Sequence, residues 1–388
     1  MNTASELRNA LVDQIRDGGW ITTARVERAM RSVERHLFLP EADLEEAYAD
    51  KNVPTKTAPD GTCLSSASTP GIVAMMLEQL HVRPGQRILE IGAGTGYNAA
   101  LLTHLGAEVT TIDIDPDAVA HTRKALERAG IRGVHLVEGD GENGVPRRVP
   151  YDRIIVTAGA WDIPPAWFDQ LVEGGLLVVP LRFRGTTRSF AFERRGDRLE
   201  SKSVKLCGFI PMRNDDGEHD IDLGGVSLRC DDDQDITAEA LGSVLDTPRS
   251  ELWSEVEIGA EPLHGIWGRL AVFETGTCRI MATDEAVRSG RAVPVIPMLS
   301  PAIAEDASLA YLAHRPLPSR EGGHRSRLGV IGHGPNGDEL CARLLDHIRE
   351  WGKDRSDRIG ATVVKKTAAT AGRGITKHDT VLCLDWKG

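Results

Sequence analysis

Two short stretches hold the residue types that could do chemistry. "GTCLSSASTPGIV", residues 61–73, crowds Cys63, Ser65, Ser66, Ser68 and Thr69 in front of Pro70. "LEIGAGTGY", residues 89–97, follows it and places Gly92, Gly94 and Gly96 after an apolar run, with Glu90 two positions before the first glycine. Glycines between a strand and a helix let a ligand approach bare backbone amides at a helix N-terminus. Asp113 closes the next apolar run, where a carboxylate can accept both hydroxyls of a ribose. Asp140 and Gly141, in "GDG", close the third, where an adenine edge can be read. In an open α/β sheet, ligands bind outside the carboxyl ends of the strands, so these three points converge. The spacing is GxGxG, not GxGxxG. The set fits adenosine with a short charged tail, S-adenosyl-L-methionine, better than a dinucleotide. A bland alternative is a glycine-rich turn that serves packing alone.

The elements that must position these residues follow from periodicity. Residues 5–17, 23–33 and 72–80 read as helices. "RILEIG", "EVTTIDID", "VHLVEGD", "YDRIIVTAG" and "LLVVPL" read as strands, with helices at "YNAALLTHL", "DAVAHTRKALERAG" and "PPAWFDQLV" between them. "RSFAFERRGDRLESKSV" alternates like a hairpin. This order predicts a doubly wound, mostly parallel sheet, a Rossmann-like α/β fold, with a late antiparallel pair at one edge. The alternation weakens after Arg213. The reading is two units: residues 1–213 as the cofactor-binding catalytic domain, and 214–388 as an acidic linker with a separate α+β domain.

Composition excludes other classes. The chain has 388 residues and a formal net charge of −11. Between Arg213 and Glu261 stand 15 Asp or Glu and 3 Arg, a balance of −12, so the rest is nearly neutral. No basic stripe suits a nucleic-acid binder. The acidic stretch reads as a solvated linker with polar faces, or else as a surface that attracts a basic peptide. No apolar run suggests a membrane span, and "MNTASELRNALVDQI" lacks the pattern of a secretion signal, so a cytoplasmic enzyme is expected. The six cysteines, at 63, 207, 230, 278, 341 and 383, form no CxxC pair, which argues against a zinc site or disulfide framework. A second cluster, "VIGHGPNGDEL", is a literal GxGxxG with Gly332, Gly334 and Gly337. The following strand closes on Lys365–Lys366 instead of an acid, and Pro335 removes an amide, so this is read as a tight turn and helix start.

The first 213 residues resemble the protein-L-isoaspartate O-methyltransferases. The resemblance runs in order through "ALVDQIRDGGWITTARVERAMRSVERHLFLPEADLEEAYAD", "LEIGAGTGY", "GDG", "PYDRIIVTAGA", "PPAWFDQLVEGGLLVVP" and "GFIPM". In that family the loop before the third helix carries Thr-Ile-Ser-x-Pro, with a catalytic serine. The aligned residues here are Ser66-Ala67-Ser68-Thr69-Pro70. The resemblance therefore implies Ser68 as the catalytic hydroxyl. It also implies a cofactor site of Ser66, Ser68, Glu90, Gly92, Ala93, Gly94, Gly96, Asp113, Ile114, Asp140, Gly141 and Thr157, without a metal.

The whole length, with "LGVIGHGPNGDELCARLLDHIREW" and "DTVLCLDW", is similar to the extended FxLD-type methyltransferases found with ribosomally made, modified peptides, lanthipeptides and graspetides. That resemblance implies esterification of an L-aspartate side chain in a constrained precursor peptide. The ester then closes to a succinimide, the aspartimide, and S-adenosyl-L-homocysteine is the spent cofactor. The alternative is repair of L-isoaspartyl residues in damaged proteins. A binding module on a degenerate methyltransferase fold is the reading from another class, and the complete Glu90, GxGxG, Asp113 and Asp140 set argues against it.

Overall fold

The structure is a computed structural model and describes residues 3–213, 216–318, 325–368 and 374–387. Among the described residues a ten-stranded and a seven-stranded sheet organise it, with a short two-stranded ladder. In the large sheet the strands His135–Glu138, Glu108–Asp113, Arg87–Ile91, Tyr151–Val156 and Leu171–Phe183 lie side by side in that order, all parallel. Thr186–Arg195 and Arg198–Leu206 continue it antiparallel. Near-continuous apolar runs make this possible, because both faces of the strands are covered. Ile88, Val109, Ile155 and Val178 point into one core with Leu11, Ile15 and Met30 of the N-terminal helices. Leu89, Ile91, Ile154 and Leu177 point into the other with Trp167 and Phe168. The Rossmann-like expectation holds. Among the described residues no helix is long and apolar enough to cross a membrane.

The division at residue 213 needs two corrections. The closing strands do not join a separate domain. Ile359–Lys365 pairs with Arg198–Leu206, and Thr380–Trp386 pairs with Ile359–Lys365, so the C-terminus extends the first sheet. The hairpin is thus not an edge. Val363 and Leu382 bury in the same core as Phe190, Phe192 and Leu199, which is the physical reason for the return. Nor is the acidic stretch a linker. Glu218–Asp222, Val226–Asp231 and Ser250–Ile258 are strands of the seven-stranded sheet, whose other strands are Thr277–Ala282, Ser300–Glu305, Ser308–Pro316 and Ser326–His333. Helix Gly337–Gly352 packs Leu340, Leu344 and Ile348 against that sheet. Asp215 lies outside the described residues.

Several carboxylates of the acidic stretch are ion-paired with the first sheet. Asp231 is fully buried and accepts from the Arg184 guanidinium at 3.0 Å, and Glu218 accepts from Arg182 at 2.6 Å. The second glycine cluster is the tight turn its sequence suggests. Gly334 has φ +89°, and a Cβ there would stand 2.2 Å from the Ala307 carbonyl oxygen.

Candidate active site

The carboxyl ends of the parallel strands open onto a cavity of about 530 Å³. It is lined by eleven of the twelve sequence-predicted residues: Ser66, Ser68, Glu90, Gly92, Ala93, Gly94, Asp113, Ile114, Asp140, Gly141 and Thr157. Gly96 is the exception. It caps helix Tyr97–His104 with φ +85°, and a Cβ there would press on Thr122 at 3.0 Å. Its work is to bring that helix close to its neighbour.

The glycine loop does not offer the free amides expected of it. Gly92 N donates to the Ile112 carbonyl at 2.8 Å, Ala93 N to the same oxygen at 3.2 Å, and Gly96 N to Ala93 at 2.8 Å. Gly94 N donates to the Asp113 carboxylate at 2.9 Å. The glycines permit close approach instead. Gly92 has φ +95°, and a Cβ would sit 2.5 Å from the Thr157 hydroxyl, which itself donates to the Gly92 carbonyl at 2.6 Å. Gly141 likewise has no room for a Cβ, which would stand 2.5 Å from Ile91.

The acids that face the cavity are held in different ways. Asp113 accepts from Gly94 N and, at 3.0 Å, from Asp115 N, which fixes its carboxylate at the strand end. An ionised carboxylate has further lone pairs for a ligand's hydroxyls. Asp140 accepts from Glu142 N at 3.0 Å and so starts the turn at Gly141–Asn143. Glu90 is completely buried; its Oε1 accepts from the Asn98 side chain at 2.8 Å, and Oε2 makes no well-formed hydrogen bond. Burial pushes its carboxyl up to about 7, opposed by the neighbouring Thr111 hydroxyl and Asn98 amide.

The serine segment is more ordered than its composition suggests. Cys63–Ala67 is a strand paired with Val53–Thr57, and Pro70 opens helix Pro70–Leu80. Gly71 N donates to the Asp50 carboxylate at 2.8 Å. Between these anchors the Ser66 and Ser68 side chains line the cavity, and neither hydroxyl has a hydrogen-bond partner among the described residues.

Sequence reasoning missed the groups that close the cavity. Asp115 accepts from Lys56 at 2.7 Å and from Arg213 at 2.6 Å. Burial would raise its carboxyl; the two cations overcome that and bring it to about 2. This clasp joins the strand Val53–Thr57, the helix start at Pro116 and the segment 208–213. That segment is tied down again where Gly159 N donates to Ile210 and Met212 N donates to Gly159. The sequence signal at Asp115 was only that of a helix cap before Pro116.

A family model described as protein-L-isoaspartate(D-aspartate) O-methyltransferase matches residues 5–217. The chain belongs to that family. A protein-L-isoaspartate O-methyltransferase of Methanoculleus marisnigri is 40% identical over 199 residues, 51% of this chain and 87% of the relative. One from Pyrococcus horikoshii is 39% identical over 211 residues, 54% of this chain and 92% of the relative. A solved structure titled protein-L-isoaspartate O-methyltransferase covers 97% of this chain and 98% of its own, at 21% identity and a TM-score of 0.52, a likeness of fold. As a member of the isoaspartate methyltransferase family, the chain is an S-adenosyl-L-methionine-dependent carboxyl O-methyltransferase. The cavity fits that cofactor: a buried, under-satisfied carboxylate oxygen on Glu90, acceptors at Asp113 and Asp140, and apolar walls from Ile91, Ile112 and Ile114.

Proposed function

We propose that this chain methylates the free carboxylate of an isoaspartyl residue in a peptide or protein. The observation that carries the reading is the convergence of Glu90, Asp113, Asp140 and the two unpartnered hydroxyls, Ser66 and Ser68, on one cavity in a chain of this family. When bound, S-adenosyl-L-methionine supplies an electrophilic methyl group that a carboxylate oxygen takes by in-line displacement, leaving S-adenosyl-L-homocysteine. In this reading Asp113 holds the ribose hydroxyls and Asp140 with Gly141 reads the adenine edge. Glu90, Gly92, Ala93, Gly94, Ile114 and Thr157 form the remaining walls. No strong base is required, because the accepting carboxylate is already ionised near neutral pH. Ser68 donates one hydrogen bond that orients the carboxylate, and Ser66 supports the same end of the site.

A second reading is esterification of an L-aspartate in a constrained ribosomal peptide, lanthipeptide or graspetide, on the way to aspartimide. It draws on the cleft of about 1150 Å³ between the two sheets, which offers space for a folded peptide. The size of the chain does not favour it, since the whole-length fold is shared with a structure that bears the isoaspartate methyltransferase title. Intact mass separates the two. The first predicts one added methyl on an isoaspartyl peptide and none on its aspartyl twin. The second predicts one added methyl on the constrained L-aspartyl precursor, then loss of methanol. Calorimetric titration tests the donor site: Asp113→Ala should weaken cofactor binding by about 1–3 kcal/mol. Unchanged affinity would remove Asp113 from the ribose.

A further inference from the structure

The cleft between the sheets is continuous with the methyl-donor cavity, because Ile72, Gly208, Phe209 and Pro211 line both. One wall comes from the first sheet and the N-terminal helices, the other from the seven-stranded sheet. Its lining includes large apolar side chains left exposed: Trp20, Leu206, Ile296 and Leu299, each about 40% exposed or more.

The charge of the cleft runs against that of the chain. The chain carries −11, yet the cleft is lined by Arg182, Lys205, Arg229 and Arg279 against Glu78 and Glu218. Most of these groups are already engaged. Glu78 accepts from Thr22 N and Thr23 N, Arg182 donates to Glu218, and Arg229 grips Asp220 at 2.8 and 2.7 Å. Arg279 is different. It stands on strand Thr277–Ala282 against Gly185, where a Cβ would meet its Cβ at 2.6 Å. It makes no hydrogen bond or ion pair among the described residues, and its Nε is buried without a partner. The carboxylates that act on it, Glu218 and Asp220, are held by Arg182 and Arg229. A guanidinium left over in a half-buried wall is a site for an outside anion, and its planar fork suits a carboxylate.

We propose that this cleft binds the methyl-accepting peptide and that Arg279 takes a second carboxylate of that peptide, so the substrates are acidic peptides. The proposal rests on the reading that the chain methylates a peptide carboxyl group. The second carboxylate leaves the peptide chemically unchanged; it fixes the chain in the cleft while the accepting carboxylate reaches past Phe209 to the donor cavity. Side-chain and C-terminal carboxylates offer the same chemistry, and the experiment separates them.

The probes are fluorescein-labelled decapeptides with one isoaspartyl residue, glutamate or glutamine at the flanking polar positions, and a free or amidated C-terminus. Their dissociation constants are measured by anisotropy with the full chain saturated with S-adenosyl-L-homocysteine. The glutamate peptide, or the free-acid peptide if the terminus is the group read, should bind roughly 10- to 100-fold tighter than its neutral twin. Arg279→Met should erase that gap and Arg279→Lys should keep part of it, while calorimetry shows unchanged cofactor-product binding in both variants. Equal affinities in the wild-type chain, no binding of any peptide, or a gap that survives in Arg279→Met would overturn the proposal. Labelled methyl transfer to the same peptides is read in parallel. Peptides that bind through Arg279 but are never methylated would sink the underlying reading and leave the anion site standing.

Discussion

The backbone carbonyl of Ser68 accepts a hydrogen bond from the buried guanidinium of Arg35 at 3.0 Å. The same guanidinium donates to the Ala47 carbonyl at 3.0 Å and lies over the Tyr97 ring, 5.0 Å from its centroid. A buried cation thus fixes the backbone of the proposed catalytic serine from behind. Ser68→Ala should lower turnover by roughly 30- to 1000-fold, the range for losing one oriented donor. Ser66→Ala should cost less. Arg35→Met should lower kcat by about tenfold or more with little change in cofactor affinity, and Arg35→Lys should restore part of it. Steady-state kinetics on confirmed folded protein measures all four. Near-normal turnover in Ser68→Ala with loss in Ser66→Ala would move the catalytic hydroxyl to Ser66.

Glu90 should make the cofactor-free protein sensitive to pH. Its folded pKa of about 7 lies above the usual glutamate value because burial disfavours the charge. The folded state therefore holds a proton that the unfolded chain releases. The stabilisation is fully present below about pH 4.5 and is lost as pH rises to about 7, a change on the order of 3 kcal/mol. Glu90→Gln should flatten that slope. Urea midpoints at pH 5 and pH 8, for both proteins, give the comparison, and equal slopes would contradict the assignment.

The junction between the sheets depends on a buried ion pair. Removing the Arg184 side chain leaves Asp231 buried with only the Lys377 ammonium and the Arg184 backbone amide to balance its charge. Arg184→Met should lose about 3–5 kcal/mol of stability. Adding Asp231→Asn should recover part of it, because the stranded anion goes while the buried Lys377 keeps Asp162 and Glu218 as carboxylate neighbours. Chemical denaturation of the two variants tests this. A loss in the double variant as large as in the single one would place the effect in packing instead.

Cutting the chain after Asp216 should not release a working catalytic half. The cut uncovers the edge of Arg198–Leu206, which Ile359–Lys365 covers in the full chain. It also removes Lys377, fully buried over the Trp161 ring at 3.0 Å and donating to the Arg182 carbonyl at 2.7 Å. Unpaired edges with apolar neighbours aggregate. Size-exclusion chromatography should show aggregates, and calorimetry weak or no cofactor binding. A soluble monomer with full affinity would show that the second half is an addition, not part of one folded unit.

The parallel strands and the line of acids at their ends were legible in the sequence, because Arg87–Ile91, Glu108–Asp113 and His135–Glu138 are short runs that close on glycine or aspartate. Ser66 and Ser68 line the cavity. What the sequence hid is non-local. Nothing in the local period of "ATVVKK" tells whether it pairs with its neighbours or with Leu199, far back in the chain. The acidic residues looked solvated because their cations, Arg182 and Arg184, stand at the end of strand Leu171–Phe183 and in the turn after it. The glycine loop misled in one respect. Its spacing suggests open amides, yet Asp113, Ile112 and Ala93 already use them. Asp115 and Arg213 were missed because a clasp between distant residues leaves no pattern.

The most direct test of the account uses S-adenosyl-L-methionine with a tritiated methyl group and two peptides that differ only in one residue, isoaspartyl or aspartyl. The full chain should place one methyl on the isoaspartyl peptide as a base-labile ester, released as volatile methanol, and Ser68→Ala should nearly abolish it. Cofactor binding by the chain with no base-labile label on either peptide would contradict the proposed function.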